Sequence, residues 1–211
     1  MPARVRVTPF GGLTALPSRG LFMGNRGCLH DEVGEIIREF VAYKGWVTCL
    51  LAFNGRKRRL RQPGRYTELF FLDEPTALAA GHRPCGTCRR RALGRFLDCM
   101  AEGLTLPRRE GLRAVDDRLH AERLDGRAFR QGWPARLSDL PSGAMVTRHA
   151  EPLRAWLWFG GRLRPWRPDG YGEIEGGELP TDTILLTPPS IVAALRAGYE
   201  PLVHDTARAP S

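Results

Sequence analysis

The chain has 211 residues, of which 42% are hydrophobic and 26% are charged, and its formal net charge is +9. This composition is typical of a globular protein and excludes a disordered one, and the length suffices for one ordinary domain or two small ones. No apolar run approaches the eighteen or so residues of a transmembrane helix, and the N-terminus lacks a signal-peptide pattern. We therefore expect a cytoplasmic protein whose five cysteines are metal ligands or buried thiols rather than disulfides.

The positive charge is concentrated in the first half of the chain. Residues 1–110 contain 19 Lys and Arg against 10 Asp and Glu, whereas residues 111–211 contain 13 of each kind. Such an uneven distribution favours a polyanionic partner, and nucleic acid is the commonest polyanion. The alternative is an ordinary solvated basic surface.

The first predicted elements are an arm and a basic hairpin. Residues 1–20 are rich in Gly, Pro and Arg, which predicts a flexible basic arm with a short strand at 4–8. Residues 46–53 have the composition of a strand, and the following Asn54-Gly55 is the strongest short hairpin signal. We expect a basic strand to return from this turn. Its cations are Arg56, Lys57, Arg58, Arg59 and Arg61.

The later elements alternate between helices and strands. In chain order they are a strand at 66–72, a short helix at 75–80, a longer helix at 88–100, a helix at 112–124, several hairpin strands after 144, and a short helix at 188–198. The predicted units are the arm at 1–20, a module at 21–102, a linker with a helix at 103–136, and a small mainly β module at 137–211. We expect Trp156, Trp158 and Trp166 to form the core of the last module rather than a base-stacking platform.

The most informative motif is the Cys-x-x-Cys turn of Cys85 and Cys88. Two cysteines at this spacing can place both sulfurs about 2.3 Å from one tetrahedral Zn²⁺. Structural zinc needs four ligands, and the upstream candidates are His30 and Cys49, with Cys28 as a substitute for His30. The sequence therefore predicts that His30, Cys49, Cys85 and Cys88 bind zinc. A redox-active dithiol is the alternative for the Cys-x-x-Cys pair.

The stretch from Thr67 to Arg91 resembles the end of the Ada-type metal-binding domain, found in bacterial proteins that repair methylated DNA. Both have a strand, a small-residue helix, a glycine, and Arg-Pro-Cys-x-x-Cys followed by a basic residue. The resemblance implies contact with DNA, linked to repair or damage recognition, and a zinc ion that keeps the module folded. The family's methyl acceptor comes from a second, closely spaced cysteine pair that this chain lacks, so we expect no methyl transfer.

Two further groups of residues are candidates for function. Arg89, Arg90 and Arg91 follow the cysteine turn and, with the basic hairpin, are predicted to bind phosphates. On the helix at 112–124, Asp116 and His120 are four residues apart and share a face, so the carboxylate could orient the imidazole. Together with Glu122 they are the catalytic candidates.

These patterns predict an α+β fold with an N-terminal zinc-binding module of β-hairpin and helix and a smaller, mainly β C-terminal module. The preferred function is zinc-dependent DNA binding. One alternative is a nucleic-acid-processing enzyme, a nuclease or glycosylase, that uses the helix from Asp116 to Glu122. A third possibility is a zinc-stabilised adaptor that binds another protein.

Overall fold

Two six-stranded β-sheets and four α-helices make up the described part of the chain. The structure is a computed structural model, and it describes residues 4–17, 19–55, 59–126, 128–174 and 180–208. This architecture confirms the predicted α+β class. None of the helices in these ranges combines the length and the apolar character needed to cross a lipid bilayer.

The first sheet contains the strands of the N-terminal half. They are β1 (Arg4–Val7), β2 (Leu13–Leu16), β3 (Phe22–Asn25), β4 (Val47–Leu50), β5 (Leu69–Phe71) and β6 (Arg83–Pro84), in the order β2-β1-β5-β3-β4-β6. Strands β1 and β5 are parallel, as are β4 and β6, and the other neighbours are antiparallel. The first two strands form a hairpin in the region predicted to be a flexible arm, because Val5 and Val7 are buried in the core.

Of the predicted basic hairpin, the described residues contain the turn but no returning strand. Asn54 and Gly55 have φ angles of 51° and 65°, as this type of turn requires. Residues 56–58 lie outside the described ranges. Within those ranges, the neighbours of β4 are β3 and β6, and Arg59 and Arg61 belong to no strand.

The second sheet belongs to the C-terminal half, after a short ribbon of β7 (Leu124–Asp125) and β8 (Ala128–Phe129). Its strands are β9 (Trp133–Pro134), β10 (Met145–Arg148), β11 (Glu151–Phe159), β12 (Arg162–Arg167), β13 (Gly170–Tyr171) and β14 (Thr183–Leu185), in the order β13-β12-β11-β10-β14-β9. Trp156 and Trp158 are buried, which confirms that they belong to the core. Trp166 is half-buried, and its indole N–H donates to the Thr76 hydroxyl at 3.0 Å.

Four helices pack around these sheets. They are α1 (Glu74–Ala79), α2 (Arg90–Gly103), α3 (Leu112–Arg123) and α4 (Pro189–Arg196). All four lie close to the predicted positions. Gly81 follows α1 with a φ of 75°, the left-handed conformation that commonly ends a helix. Leu78 of α1, Phe96 of α2, Trp156 and Ile191 share one core cluster, so the helices connect the two halves of the chain.

Two buried carboxylates at the start of α1, those of Asp73 and Glu74, form the joint between the two halves of the chain. The Asp73 carboxylate accepts hydrogen bonds from the backbone N–H of Thr76 at 3.1 Å and from its hydroxyl at 2.7 Å. It also accepts from the Tyr171 hydroxyl at 2.9 Å and from the His204 N–H at 3.1 Å. One carboxylate thus caps a helix of the first half and holds two segments of the second half.

We expect Asp73→Ala to lower the free energy of unfolding by about 3 kcal/mol, because it leaves several buried donors without an acceptor. Urea unfolding measures the change. Asp73→Asn keeps one side-chain oxygen as an acceptor and should lose less, and Asp125→Ala, at an exposed position of β7, should lose almost nothing. Equal losses from the alanine and asparagine variants would contradict this account of the joint.

Candidate metal centre

Three cysteine side chains converge at the edge of the first sheet. The sulfur atoms of Cys49, Cys85 and Cys88 all lie within 4.8 Å of one another. In a tetrahedral zinc site, Zn–S bonds of about 2.3 Å place the sulfurs roughly 3.8 Å apart. A small movement of the side chains would therefore close the three sulfurs around one ion. The three cysteines could hold a metal ion.

The register of the sheet explains why residues far apart in sequence meet here. Cys49 lies in β4, and Cys85 directly follows β6, which pairs with β4 so that Thr48 is opposite Pro84. The N–H of Cys85 donates to the carbonyl of Thr48 at 2.9 Å and extends this pairing. A turn then brings Cys88 back, with the Arg89 N–H donating to the Cys85 carbonyl at 3.0 Å. The backbone therefore positions all three sulfurs.

Hydrogen bonds to the sulfurs favour their ionised form. The N–H of Thr87 donates to the Cys85 sulfur and the N–H of Leu50 to the Cys88 sulfur, both at 3.4 Å. The pKa of Cys85 is lowered, chiefly because the Cys49 thiol donates a hydrogen bond to it. That bond raises the pKa of Cys49, and burial raises the pKa of Cys88. A bound cation would replace the shared thiol proton and lower the pKa of all three thiols, so that all three could ionise.

The structure does not bring His30 or Cys28 into the cluster. The His30 ring lies with Nδ1 2.6 Å from the Thr67 hydroxyl and Nε2 3.2 Å from the Gln62 carbonyl. The Cys28 thiol donates to the His30 carbonyl at 3.5 Å. In the described ranges, no fourth His, Cys, Asp or Glu joins the three sulfurs. Three of the four predicted ligands are therefore together, and His30 is used to connect two loops.

A cleft of about 510 Å³ begins at the three sulfurs. Its floor is one face of the first sheet, since Cys49 is opposite Met23 and Met23 is opposite Phe70. Successive side chains of a strand point to opposite faces, so Phe22, Leu69 and Phe71 point the other way, into the core. The floor consists of Met23, Asn25, Val47, Cys49, Glu68 and Phe70.

The opposite wall of the cleft comes from the segment that contains the basic run. Leu51 and Phe53 precede the run, and Leu60 and Tyr66 follow it, and all four line the cleft. Leu50 and Leu51, which follow Cys49, are 39% and 36% exposed and do not cover its sulfur with a closed core. The sulfurs therefore face an open space rather than a closed core.

The cleft has polar groups that sequence reasoning missed. Glu68 is only 5% exposed, and one of its carboxylate oxygens accepts a hydrogen bond from the Arg61 N–H at 2.8 Å. The Asn25 side-chain oxygen accepts from the Gly27 N–H at 3.4 Å, and Arg19 also lines the cleft. One signal was available: Glu68 alternates with apolar residues in a strand, which places it on the face opposite Leu69.

The predicted phosphate-binding residues fall into three groups. Arg56, Lys57 and Arg58 lie outside the described residues. Arg59, Arg90 and Arg91 are exposed and make no ion pair within the described part of the chain. Arg61 and Arg89 are used inside the protein: an Arg61 guanidinium N–H donates to the Gly34 carbonyl at 2.9 Å, and Arg89 forms a buried ion pair with Glu74 at 2.7 Å. Arg89 therefore has a structural role.

The catalytic candidates on α3 do not form a common site. Asp116 accepts two hydrogen bonds from the Arg83 guanidinium, at 2.7 and 2.8 Å. Glu122 accepts from the N–H and the hydroxyl of Ser190 at the start of α4. His120 lies 3.1 Å from an Arg123 guanidinium nitrogen. Each side chain has a different packing partner, and none of the three lines the cleft beside the cysteines.

Comparison with known proteins identifies no family for this chain. No protein-family model matches the chain, and no curated protein or solved structure matches it either. The resemblance to Ada-type domains is therefore carried by the residues between 67 and 91 alone.

Proposed function

We propose that this protein binds a zinc ion through Cys49, Cys85 and Cys88 and binds nucleic acid, preferably DNA, on the basic surface beside that ion. The single observation that carries the proposal is the convergence of the three sulfurs at one end of a cleft. Phe53 and Leu60, which line that cleft, flank the basic run in the sequence. A role in DNA repair or damage recognition is the finer proposal, and the Ada-type resemblance supports it.

The chemistry of the donor set favours zinc. Thiolate ligands select Zn²⁺, Cu(I) and iron–sulfur clusters over the hard cations Mg²⁺ and Ca²⁺. Iron–sulfur clusters are usually held by four cysteines, whereas this site has three. Zinc accepts three thiolates and a fourth ligand in a tetrahedral arrangement. Zinc is therefore the ion that these three residues fit best.

Nucleic acid fits the charge around the cleft. Arg59 follows the undescribed part of the basic run, and Arg90 and Arg91 begin α2 directly after the cysteine turn. All three guanidinium groups are exposed, so they can bind phosphates without breaking an ion pair seen in the structure. Phosphate contacts of this kind supply most of the affinity for nucleic acid and little of its sequence specificity.

We expect about one zinc per purified chain by elemental analysis. Cys85→Ser should lose the ion and lower the melting temperature by about 10 °C, because metal binding contributes to the folding free energy. Cys28→Ser is the matched control and should keep both the ion and the melting temperature. A protein that is isolated without metal and melts at the same temperature after chelation would contradict the zinc proposal.

We also expect nucleic-acid binding to weaken steeply with salt. For duplex DNA, each lost phosphate contact should flatten the slope of log affinity against log salt by about 0.9. Arg90→Ala and Arg91→Ala should each reduce affinity and slope, whereas Arg162→Ala, an exposed arginine of the second sheet, should change neither. Fluorescence anisotropy at four or more salt concentrations measures the slope. Identical slopes for all three variants and the wild type would assign Arg90 and Arg91 to a passive surface.

A further inference from the structure

We propose that the cleft is a pocket for one unstacked nucleobase, and that the fourth coordination position of the metal opens into this pocket. The proposal deepens the proposed function and rests on it.

The count of ligands leaves the fourth position to a small exchangeable molecule. Structural zinc sites are closed by four protein ligands, whereas open sites have three protein ligands and a water. Three sulfurs form the cluster in the described ranges, and the residues outside those ranges include no cysteine and no histidine, the residues that complete structural zinc sites. All three cysteines line the cleft, so a fourth ligand reaches the metal from the cleft.

The walls of the cleft suit a flat ring. Phe70 and Met23 lie on the sheet side, and Phe53 and Tyr66 lie on the side of the opposite segment. Proteins that take a base out of a strand hold it between aromatic or apolar side chains in this way. The volume of about 510 Å³ lies within the range of ordinary ligand pockets, about 300–1,000 Å³.

Glu68 and Asn25 supply the polar contacts that the edge of a base requires. Glu68 precedes β5 by one residue and so lies two strands away from Cys49 on the same face. Strand spacings of about 4.8 Å and a rise of about 3.3 Å per residue place their Cα atoms roughly 12 Å apart. That separation leaves room for one ring system between the carboxylate and the metal.

The Glu68 carboxylate also predicts which bases are preferred. One of its oxygens accepts the Arg61 N–H, and the other has no donor in the described part of the chain. A buried carboxylate accepts hydrogen bonds and donates none, so it favours a base with an exocyclic amino group. Cytosine has such a group, and thymine has a carbonyl at the same position.

The charge at the rim distinguishes a nucleotide from a neutral aromatic ligand. Arg19 lines the cleft, and the basic run lies between Phe53 and Leu60, which both line it. Exposed Arg59 directly precedes Leu60, so a phosphate beside an inserted base would lie near the guanidinium groups of Arg19 and Arg59. The combination of aromatic walls, polar floor and cationic rim fits single-stranded nucleic acid.

The open position is tested on the protein with Co²⁺ in place of zinc, because the visible spectrum of Co²⁺ reports its ligands. We expect azide to shift the spectrum of the Co²⁺ protein in a saturable way. A single-stranded oligo(dC) 12-mer should raise the azide concentration needed for half the shift by about tenfold, because the base blocks the cleft. A spectrum that azide does not change would overturn the open metal position.

The pocket is tested with variants in the same competition. Tyr66→Ala should weaken oligo(dC) binding by about tenfold, the effect of losing one stacked base, and should still bind azide. Tyr43→Ala is the matched control, since Tyr43 is exposed but does not line the cleft. Wild-type protein should bind oligo(dC) about tenfold more tightly than oligo(dT), and Glu68→Gln should remove this preference.

The outcomes separate the pocket from the function on which it rests. Oligonucleotide that binds in a salt-dependent manner but leaves the azide titration unchanged would overturn the pocket and keep nucleic-acid binding. Oligonucleotide that does not bind at any salt concentration would overturn both. Equal affinities for oligo(dC) and oligo(dT) in the wild type would overturn the role of Glu68.

Discussion

The mutual repulsion of three thiolates is the constraint on which the rest of the site depends. Two unit charges 4.8 Å apart repel by about 3.5 kcal/mol at an effective dielectric constant of about 20, and the cluster contains three such pairs. The Cys85 N–H bond to the Thr48 carbonyl and the Arg89 N–H bond to the Cys85 carbonyl hold the cysteine turn against β4, so the sulfurs can separate only by side-chain rotation. The cluster must therefore keep protons or take a cation. A soft divalent cation would resolve the conflict, and under the proposed function metal binding and folding would be one equilibrium.

The cysteine turn is also connected to the joint between the two halves of the protein. Arg89 directly follows Cys88, and its guanidinium group stacks on the Phe22 ring at 4.4 Å and pairs with Glu74. Glu74 in turn accepts hydrogen bonds from the Tyr199 hydroxyl at 2.6 Å and the Leu202 N–H at 3.0 Å. A change in the conformation of the cysteine turn would thus reach the C-terminal segment through Arg89 and Glu74. This buried arginine holds the turn in place, which a phosphate-binding arginine at the surface could not do.

The sequence predicted the parts of the site that depend on local patterns. The Cys-x-x-Cys turn, α1 and α2 follow from spacing, helix periodicity and a stop at Gly81. The pairing of β4 with the two-residue strand β6 did not follow, because long-range register is not encoded in any one segment. Asp116 shows the same limit: its spacing from His120 is a surface-helix pattern, but its partner is Arg83 on another element. The cleft could not be predicted for the same reason, since its walls come from three strands and a distant loop.

Part of the basic charge of the first half is internal, and this decides how much of it can act on a partner. In the described residues of 1–110, the buried cationic side chains are Arg6, Arg26, Arg83 and Arg89, and the buried acids are Glu68, Asp73 and Glu74. Arg26 lies 4.9 Å from the centre of the Trp46 ring, and burial lowers its pKa to about 9. The same described residues contain 16 cations and 10 acids, so 12 cations and 7 acids remain once these groups are removed. Cations and acids are buried in similar numbers, so the core leaves the surplus almost unchanged. The surplus therefore belongs to side chains outside the core, where it attracts a polyanion over a screening length of about 8–10 Å.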